Sequence, residues 1–437
     1  MFTRARGVIA LLVAVPALVQ ASGGAGTPSF AWYAQATYVE QETDRFRAPY
    51  AGANSLVPDQ GRQTADLTLY LGVRLARDTE LWINPELDQG FGLADTLGLA
   101  GFASGEAYKI GRAQPYLRWQ RLFIRHTWNI DGEASEVAAG ANQFAGTAAA
   151  ERVVLTVGKF GVGDVFDVNR YAHDPRHDFL NWSIIDTGSF DYAADAWGYT
   201  VGAALEWYKG PWTWRGGFFD VSNVPNSPHL EPGFHEFQLV GEAERRYSLG
   251  DLAGKVAVTA YATHARMARL EDAIAYGAAN GVPPDPAPVR EFRTRHGASM
   301  NVEQTLADGI GAFLRAGVSD GYVETYDFTD IDHSFAVGLS VDGKRWRRDG
   351  DTLGVATVIN AASAERRRYL DAGGLGVLIG DGRLPNSSSE RIVETYYRLG
   401  IGRFVHFTLD YQYVANPAYN ADRGPVSIWA VRLHMQF

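Results

Sequence analysis

From Thr64 to Leu75 the side chains take turns. Ala65, Leu67, Leu69, Leu71, Val73 and Leu75 make one face, and Thr64, Asp66, Thr68, Tyr70, Gly72 and Arg74 make the other. Successive residues of a β-strand project to opposite sides, so the segment predicts a strand with one apolar and one polar surface. A helix would spread both sets round its circumference. The pattern recurs. Trp197, Tyr199, Val201, Ala203, Leu205 and Trp207 alternate with Gly198, Thr200, Gly202, Ala204 and Glu206. Trp212, Trp214, Gly216 and Phe218 alternate with Thr213, Arg215 and Gly217. Val256, Val258, Ala260 and Ala262 alternate with Ala257, Thr259, Tyr261 and Thr263, and Phe407, Leu409, Tyr411 and Tyr413 with His406, Thr408, Asp410 and Gln412.

About sixteen such segments are predicted. They begin near Phe30, Thr64, Glu80, Tyr116, Val153, Tyr199, Trp212, Phe234, Gly254, Arg293, Ile310, Ser334, Thr352, Glu390, Phe404 and Val426, with Tyr116 to Thr127 the least regular. Even strand numbers, and crossings of ~9–11 tilted residues, are the rule for bacterial membrane barrels. The polar faces carry mid-strand charges: Arg74, Glu206, Arg215, Glu242, Arg295, Glu303, Arg315, Glu394, Asp410 and Arg432. Aromatic residues at the ends of apolar faces, such as Trp197, Tyr199 and Trp207, predict interfacial girdles. Alternation alone fits a soluble sandwich as well, whose two apolar faces bury one another. The girdles and the two chain termini favour the membrane.

At the start, Arg4 and Arg6 precede an apolar run, Val8 to Leu18, and a small-residue site at Val19-Gln20-Ala21. This predicts a secretory signal peptide over 1–21, too short to span as a helix. A short segment, 22–28, then leads into a barrel over 29–437. At the end, Trp429, Val431, Leu433, Met435 and Phe437 alternate with Ala430, Arg432, His434 and Gln436. A last strand closing on phenylalanine resembles the signal that the outer-membrane barrel-assembly machinery reads.

Composition narrows the field. Cysteine is absent, which excludes thiol catalysis, zinc fingers and iron–sulfur sites. The net charge of −10 makes the chain a poor general binder of nucleic acid. Lysine occurs only at Lys109, Lys159, Lys209, Lys255 and Lys344, five of 40 cationic residues. Arginine, with its planar and always charged fork, suits a confined polar channel.

The chain resembles the carbohydrate-selective porins of the OprB type over essentially its whole mature length. Gly158-Lys159-Phe160 with Asp164, Phe166, Asp167 and Asn169 carries part of the likeness. Glu394, Tyr396, Tyr397 and Asp410-Tyr411-Gln412 carry more of it. Asn416-Pro417-Ala418-Tyr419-Asn420, Asp422-Arg423-Gly424-Pro425 and the stretch from Arg432 to Phe437 complete it. The resemblance implies a sixteen-stranded, all-β, transmembrane, antiparallel up-and-down barrel. Its long extracellular loops would fold toward the pore, which would favour monosaccharides.

Candidate chemistry lies in three places. Tyr171 to Trp182 offers Tyr171, His173, Asp174, Arg176, His177, Asp178, Phe179, Asn181 and Trp182. Planar groups stack on sugar C–H faces and charged groups replace the water lost from hydroxyls, while binding stays weak enough for exit. This loop is expected to help form a constriction, with Asp174, Arg176 and Trp182 as contacts; a solvated surface loop is the alternative. Arg118, Arg121 and Arg125 form a basic cluster. Arg118 cannot share a face with the other two on a regular strand, so a bulge, or a charge-paired wall opposite Glu242 and Glu244, is expected; solvated wall charges with no role in selectivity are the alternative. Arg74, Glu206, Arg215, Glu242, Arg295 and Arg315 complete the candidate lumen set. His173 and His177 have a metal-ligand spacing, but Pro175 between them breaks a helix, and no metal is assigned. Asp164, Asp167 and Asn169 lack the full Ca²⁺-loop pattern. Gly317-Val318-Ser319-Asp320-Gly321 matches a serine-hydrolase elbow, yet no helical period follows it.

The expectation is an outer-membrane porin that lets small carbohydrates, monosaccharides such as glucose, diffuse passively into the periplasm, with no catalytic residue and no cofactor. Its partners would be sugar solutes, outer-membrane lipid and lipopolysaccharide, and the assembly machinery, as a monomer or homotrimer. An outer-membrane barrel enzyme would need a Ser/His/acid group on one wall, which the sequence does not offer. A polysaccharide-export barrel would have a more uniformly charged lumen.

Overall fold

The computed structural model describes residues 29–437. The signal peptide over 1–21 and the segment 22–28 lie outside the described residues.

The strands are β1 Phe30–Thr43, β2 Gln60–Ala76, β3 Thr79–Gly90, β4 Arg112–Val137, β5 Gly146–Phe160, β6 Thr200–Lys209, β7 Trp212–Asp220, β8 Phe237–Leu249, β9 Leu252–Met267, β10 Glu291–Ala307, β11 Ile310–Ser319, β12 His333–Asp342, β13 Thr352–Ala361, β14 Glu390–Ile401, β15 Val405–Ala415 and β16 Val426–Gln436. Each pairs antiparallel with its sequence neighbours, and β1 pairs with β16 to close the barrel. Closure matters because lipid offers no partner to an unpaired N–H or C=O. The predicted alternation holds. Leu69, Val73, Leu205, Val258 and Leu409 are exposed outward, while Thr68, Arg295, Arg315, Glu394 and Arg432 are buried inside. The largest difference in a strand start is at β5, which begins at Gly146 rather than near Val153. Its first residues are Gly, Thr and Ala, which lack the apolar beat of a lipid-facing strand.

Alternate connections differ in length, as a membrane barrel requires. Tight turns such as 77–78, 210–211, 250–251 and 308–309 mark the periplasmic end; segments such as 91–111, 161–199, 268–290 and 362–389 mark the extracellular end. Three short α-helices lie in these loops: α1 Trp182–Ile185, α2 Leu270–Asn280 and α3 Ala364–Asp371. Helices α2 and α3 form within the connections 268–290 and 362–389. Tertiary packing decides this, because Leu270 and Ala273 share an apolar cluster with Tyr369 and Leu370.

The lumen is largely filled. On its inner face Phe313, Val358, Ile392, Val414 and Ile428 cluster with Phe179 and Ile184 of the 161–199 loop. A second cluster joins Phe160, Phe166, Phe219 and Tyr261. An apolar core therefore occupies part of the interior, and a cavity remains where the loop stands away from the wall.

Candidate functional site

The 161–199 loop crosses the lumen because wall residues grip its backbone. Asp164 accepts the Gly161 N–H at 2.9 Å, making a tight turn after β5. The carboxylate of Asp167 accepts from the Thr187 N–H at 2.6 Å and from Asn301 Nδ2 at 2.8 Å. Arg315 donates to the Asp167 carbonyl at 3.1 Å and to the Ile184 carbonyl at 2.8 Å. Glu394 accepts the Leu180 and Asn181 N–H groups at 2.5 and 3.0 Å. Arg432 donates to the Asp178 carbonyl at 2.9 Å. Asn181 then caps α1 through the Ser183 N–H. Polar residues at inward strand positions thus hold a loop that would otherwise leave its own backbone groups unpaired.

Between this loop and the β1–β4 wall lies a cavity of about 370 Å³. The wall contributes Gln35, Tyr70, Glu86, Arg118 and Arg121. The crossing loop contributes His173, Asp174, Arg176 and Trp182, and the 91–111 loop adds Phe102, Glu106, Tyr108 and Lys109. Glu86 links wall to loop: it lies 3.5 Å from Arg118 Nη2 and 3.3 Å from Arg176 Nη2. Arg176 also reaches Glu106 at 3.2 Å and Asp66 at 3.5 Å, and Arg118 donates to Asp88. Arg121 forms a two-pronged pair with Asp164, its Nε at 2.8 Å and Nη2 at 2.5 Å.

Aromatic planes back these charges. Arg118 lies 4.7 Å from the Trp197 ring centre and Arg121 lies 5.0 Å from that of Tyr199. Trp182 stacks on Phe102 at 5.3 Å with 13° between planes. Burial works against the His173 imidazolium, but Asp186 at 3.6 Å outweighs it and raises its pKa. Burial pushes Lys109 down to about 7, despite the carboxylates of Asp327 and Asp191 nearby.

Sequence comparison agrees with this architecture. The model of the carbohydrate-selective porin, OprB family, matches residues 54–437. The chain belongs to that family. No curated protein matches it in sequence. In fold, this OprB-family porin is similar to the high-pH structure of Pseudomonas putida OprB, at 13% identity and a TM-score of 0.69, covering 94% of each chain. It is also similar to the outer-membrane channel DcaP of Acinetobacter baumannii, at 8% identity and a TM-score of 0.51, covering 93% of this chain and 97% of that one. The porin is a channel of the outer membrane and not an enzyme.

The predicted residues divide into groups. Arg118, Arg121, Asp174, Arg176 and Trp182 meet at the porin's cavity. The expected bulge exists: Arg118 pairs with Glu86 and Arg121 with Asn84, so the ladder slips at Gln120 and turns both arginines inward. Their partners are not Glu242 and Glu244, which instead bind Arg215 at 2.6 and 2.9 Å, with Glu206 at 2.9 Å from the same guanidinium. Arg295 and Arg315 are fully buried, Arg295 against Asp191 at 2.6 Å, and they hold loops rather than face open channel. Arg74 and Arg125 contact the 138–145 segment. His173 and His177 diverge: the first faces Asp186, the second lies 4.5 Å from the His434 ring. Ser319 accepts from Arg295 Nη2 and is followed by loop, not helix.

Two girdle assignments change. Trp197 and Tyr199 line the cavity rather than the lipid boundary. Asp195 accepts both of their N–H groups, and Gly198 at φ 94° bends the chain inward before β6 begins. Glu86, Asp88, Glu106 and Lys109 also belong to the site, beyond the residues that the sequence predicts for it. The β3 alternation of Glu80, Trp82, Asn84, Glu86 and Asp88 with Leu81, Ile83, Pro85 and Leu87 would have exposed the first two.

Proposed function

We propose that this porin passes small neutral carbohydrates of monosaccharide size, such as glucose, down their gradient into the periplasm. The observation that carries the reading is the cavity wall itself. Two arginines backed by aromatic rings, Arg118 on Trp197 and Arg121 on Tyr199, stand across from Arg176 and Trp182. Flat faces suit pyranose C–H surfaces. The paired arginines and carboxylates exchange hydrogen bonds with hydroxyls without presenting a large uncompensated charge. On the same reading the barrel sits among outer-membrane lipid and lipopolysaccharide, inserted by the barrel-assembly machinery, as a monomer or homotrimer. A crossing loop tied to β10, β11, β14 and β16 leaves a narrow path, which disfavours a polymer such as an exported polysaccharide.

Liposome swelling with sugars of graded size tests this. Glucose should swell proteoliposomes promptly and a trisaccharide far more slowly. Equal rates for both, or none for either, would remove the sugar assignment. Trp182→Ala should change the ratio of sugar rates while the barrel still assembles.

A further inference from the structure

Periplasmic connections in such barrels are ordinarily short turns. The one between β4 and β5 is not. The β3–β4 ladder ends at Thr79 and His126, yet β4 and β5 stay paired as far as Val137 and Gly146. The β4–β5 ladder is irregular from Asn129 to Ala134, and Gly132 inside that stretch has φ 88°. There the hairpin bends back into the barrel. Its tip, 138–145, reaches the interior of β3: Asn84 Nδ2 donates to Asn142 Oδ1 at 3.0 Å. Arg125 donates to the Asn142 carbonyl, and Arg74 donates to the Ala145 carbonyl at 2.9 Å. Phe144 is buried 5.1 Å from Trp82, under the Arg74 guanidinium at 4.6 Å. Ala141 and Asn142 line the solute cavity, which also touches Lys109 and Phe328 from loops of the opposite end.

We propose that this hairpin is a movable floor of the channel. Docked, it narrows the periplasmic exit; swung about Gly132, it opens it. Its attachment is slight. Asp131 to Glu136 are exposed, and Ala138-Ala139-Gly140-Ala141 offers no long side chain to the wall. Among the described residues the buried Phe144 ring, the partly buried Ala141 and three hydrogen bonds from the wall hold the tip, and segments with so few buried contacts open locally at low cost. Arg74 and Arg125 are then latch residues that act through the hairpin and need not touch solute. The inference rests on the channel reading above but not on which solute is preferred.

The chain has no cysteine, so an Asn84→Cys, Asn142→Cys pair can lock the tip to β3. The test is ion conductance of the full-length porin in planar bilayers, with cross-linking verified by mass. The oxidised pair should conduct on the order of twofold less than the reduced pair, and Phe144→Ala should conduct on the order of twofold more than the parent. Unheated electrophoretic mobility confirms that each variant is folded. Equal conductance of the oxidised and reduced forms makes the hairpin a fixed shelf and overturns the proposal. Should the cross-link not form, Phe144→Ala and Arg74→Ala decide, and parental conductance in both overturns it. Loss of sugar passage with normal gating of ions would count against the sugar assignment alone.

Discussion

Asp164, on the loop that crosses the lumen, takes both Nε and Nη2 of Arg121, on the barrel wall, at 2.8 and 2.5 Å. The pair fixes the loop's origin and neutralises a guanidinium that lines the cavity. A two-pronged arginine–carboxylate contact holds orientation as well as charge.

Removing one partner should leave the other's charge in the channel. Asp164→Asn is expected to shift the reversal potential in a KCl gradient toward anions, and Arg121→Gln toward cations. The stability cost of either should stay near 1 kcal/mol, since both side chains retain some exposure. Identical reversal potentials in parent and variants would show that Arg121 does not face the conducting path.

Asp191 is a different kind of residue. Its carboxylate accepts from Arg295 at 2.6 Å and from the N–H groups of Tyr326, Asp327, Phe328 and Thr329. Both charged side chains are fully buried. Arg295→Ala strands that carboxylate and should destabilise the barrel by about 3–5 kcal/mol. Denaturant unfolding in detergent, followed by tryptophan fluorescence, measures it. A cost below that of Arg121→Gln would mean that Asp191 is satisfied by the loop N–H groups alone.

The barrel was legible because a strand in lipid must alternate. Thr64 to Leu75 shows this residue by residue, and every lumen charge read from such strands turns inward. Parity tells which face a residue takes; it does not tell what covers that face. Arg118 and Arg315 look alike in sequence, yet one lines the cavity and the other lies under the crossing loop. The failures have physical causes. Glu86 carries the same alternation signal on β3, but Pro85 beside it interrupts the apolar face. Glu106 and Lys109 sit in a Gly- and Ala-rich stretch with no period to read. Trp197 and Tyr199 follow strand parity on paper, but the Asp195 turn and Gly198 rotate them inward.

The outward face makes a separate prediction. Val258 is exposed at the middle of β9, opposite Met300 on β10 and Ala243 on β8. An arginine there meets hydrocarbon, so Val258→Arg should cost about 2–4 kcal/mol in a lipid bilayer, while Val258→Ile should cost little. Reversible unfolding from lipid vesicles gives the comparison. A neutral Val258→Arg would place this strand face in water.

Lys109 should make the channel's selectivity depend on pH near neutrality. Its ammonium lies 2.8 Å from Asn226 Oδ1, 3.2 Å from the Asp327 carbonyl and 4.4 Å from the Phe328 ring centre. Burial holds its pKa at about 7, against the pull of Asp327, Asp191, Asp330 and Asp195. Below pH 7 the cavity carries this positive charge, and above it the charge is lost, so cation preference should rise between about pH 6 and 8. The unfolded chain keeps the lysine proton up to about pH 10, whereas the folded chain releases it near 7. The unfolded state therefore binds more protons between those values, and this group's contribution to stability rises with pH across that window. Lys109→Met should reduce the selectivity change, leaving the part that His173 contributes from the same cavity. Reversal potentials in a KCl gradient from pH 6 to pH 8 check both, and a parent change no larger than the variant's would mean that Lys109 keeps one charge state throughout.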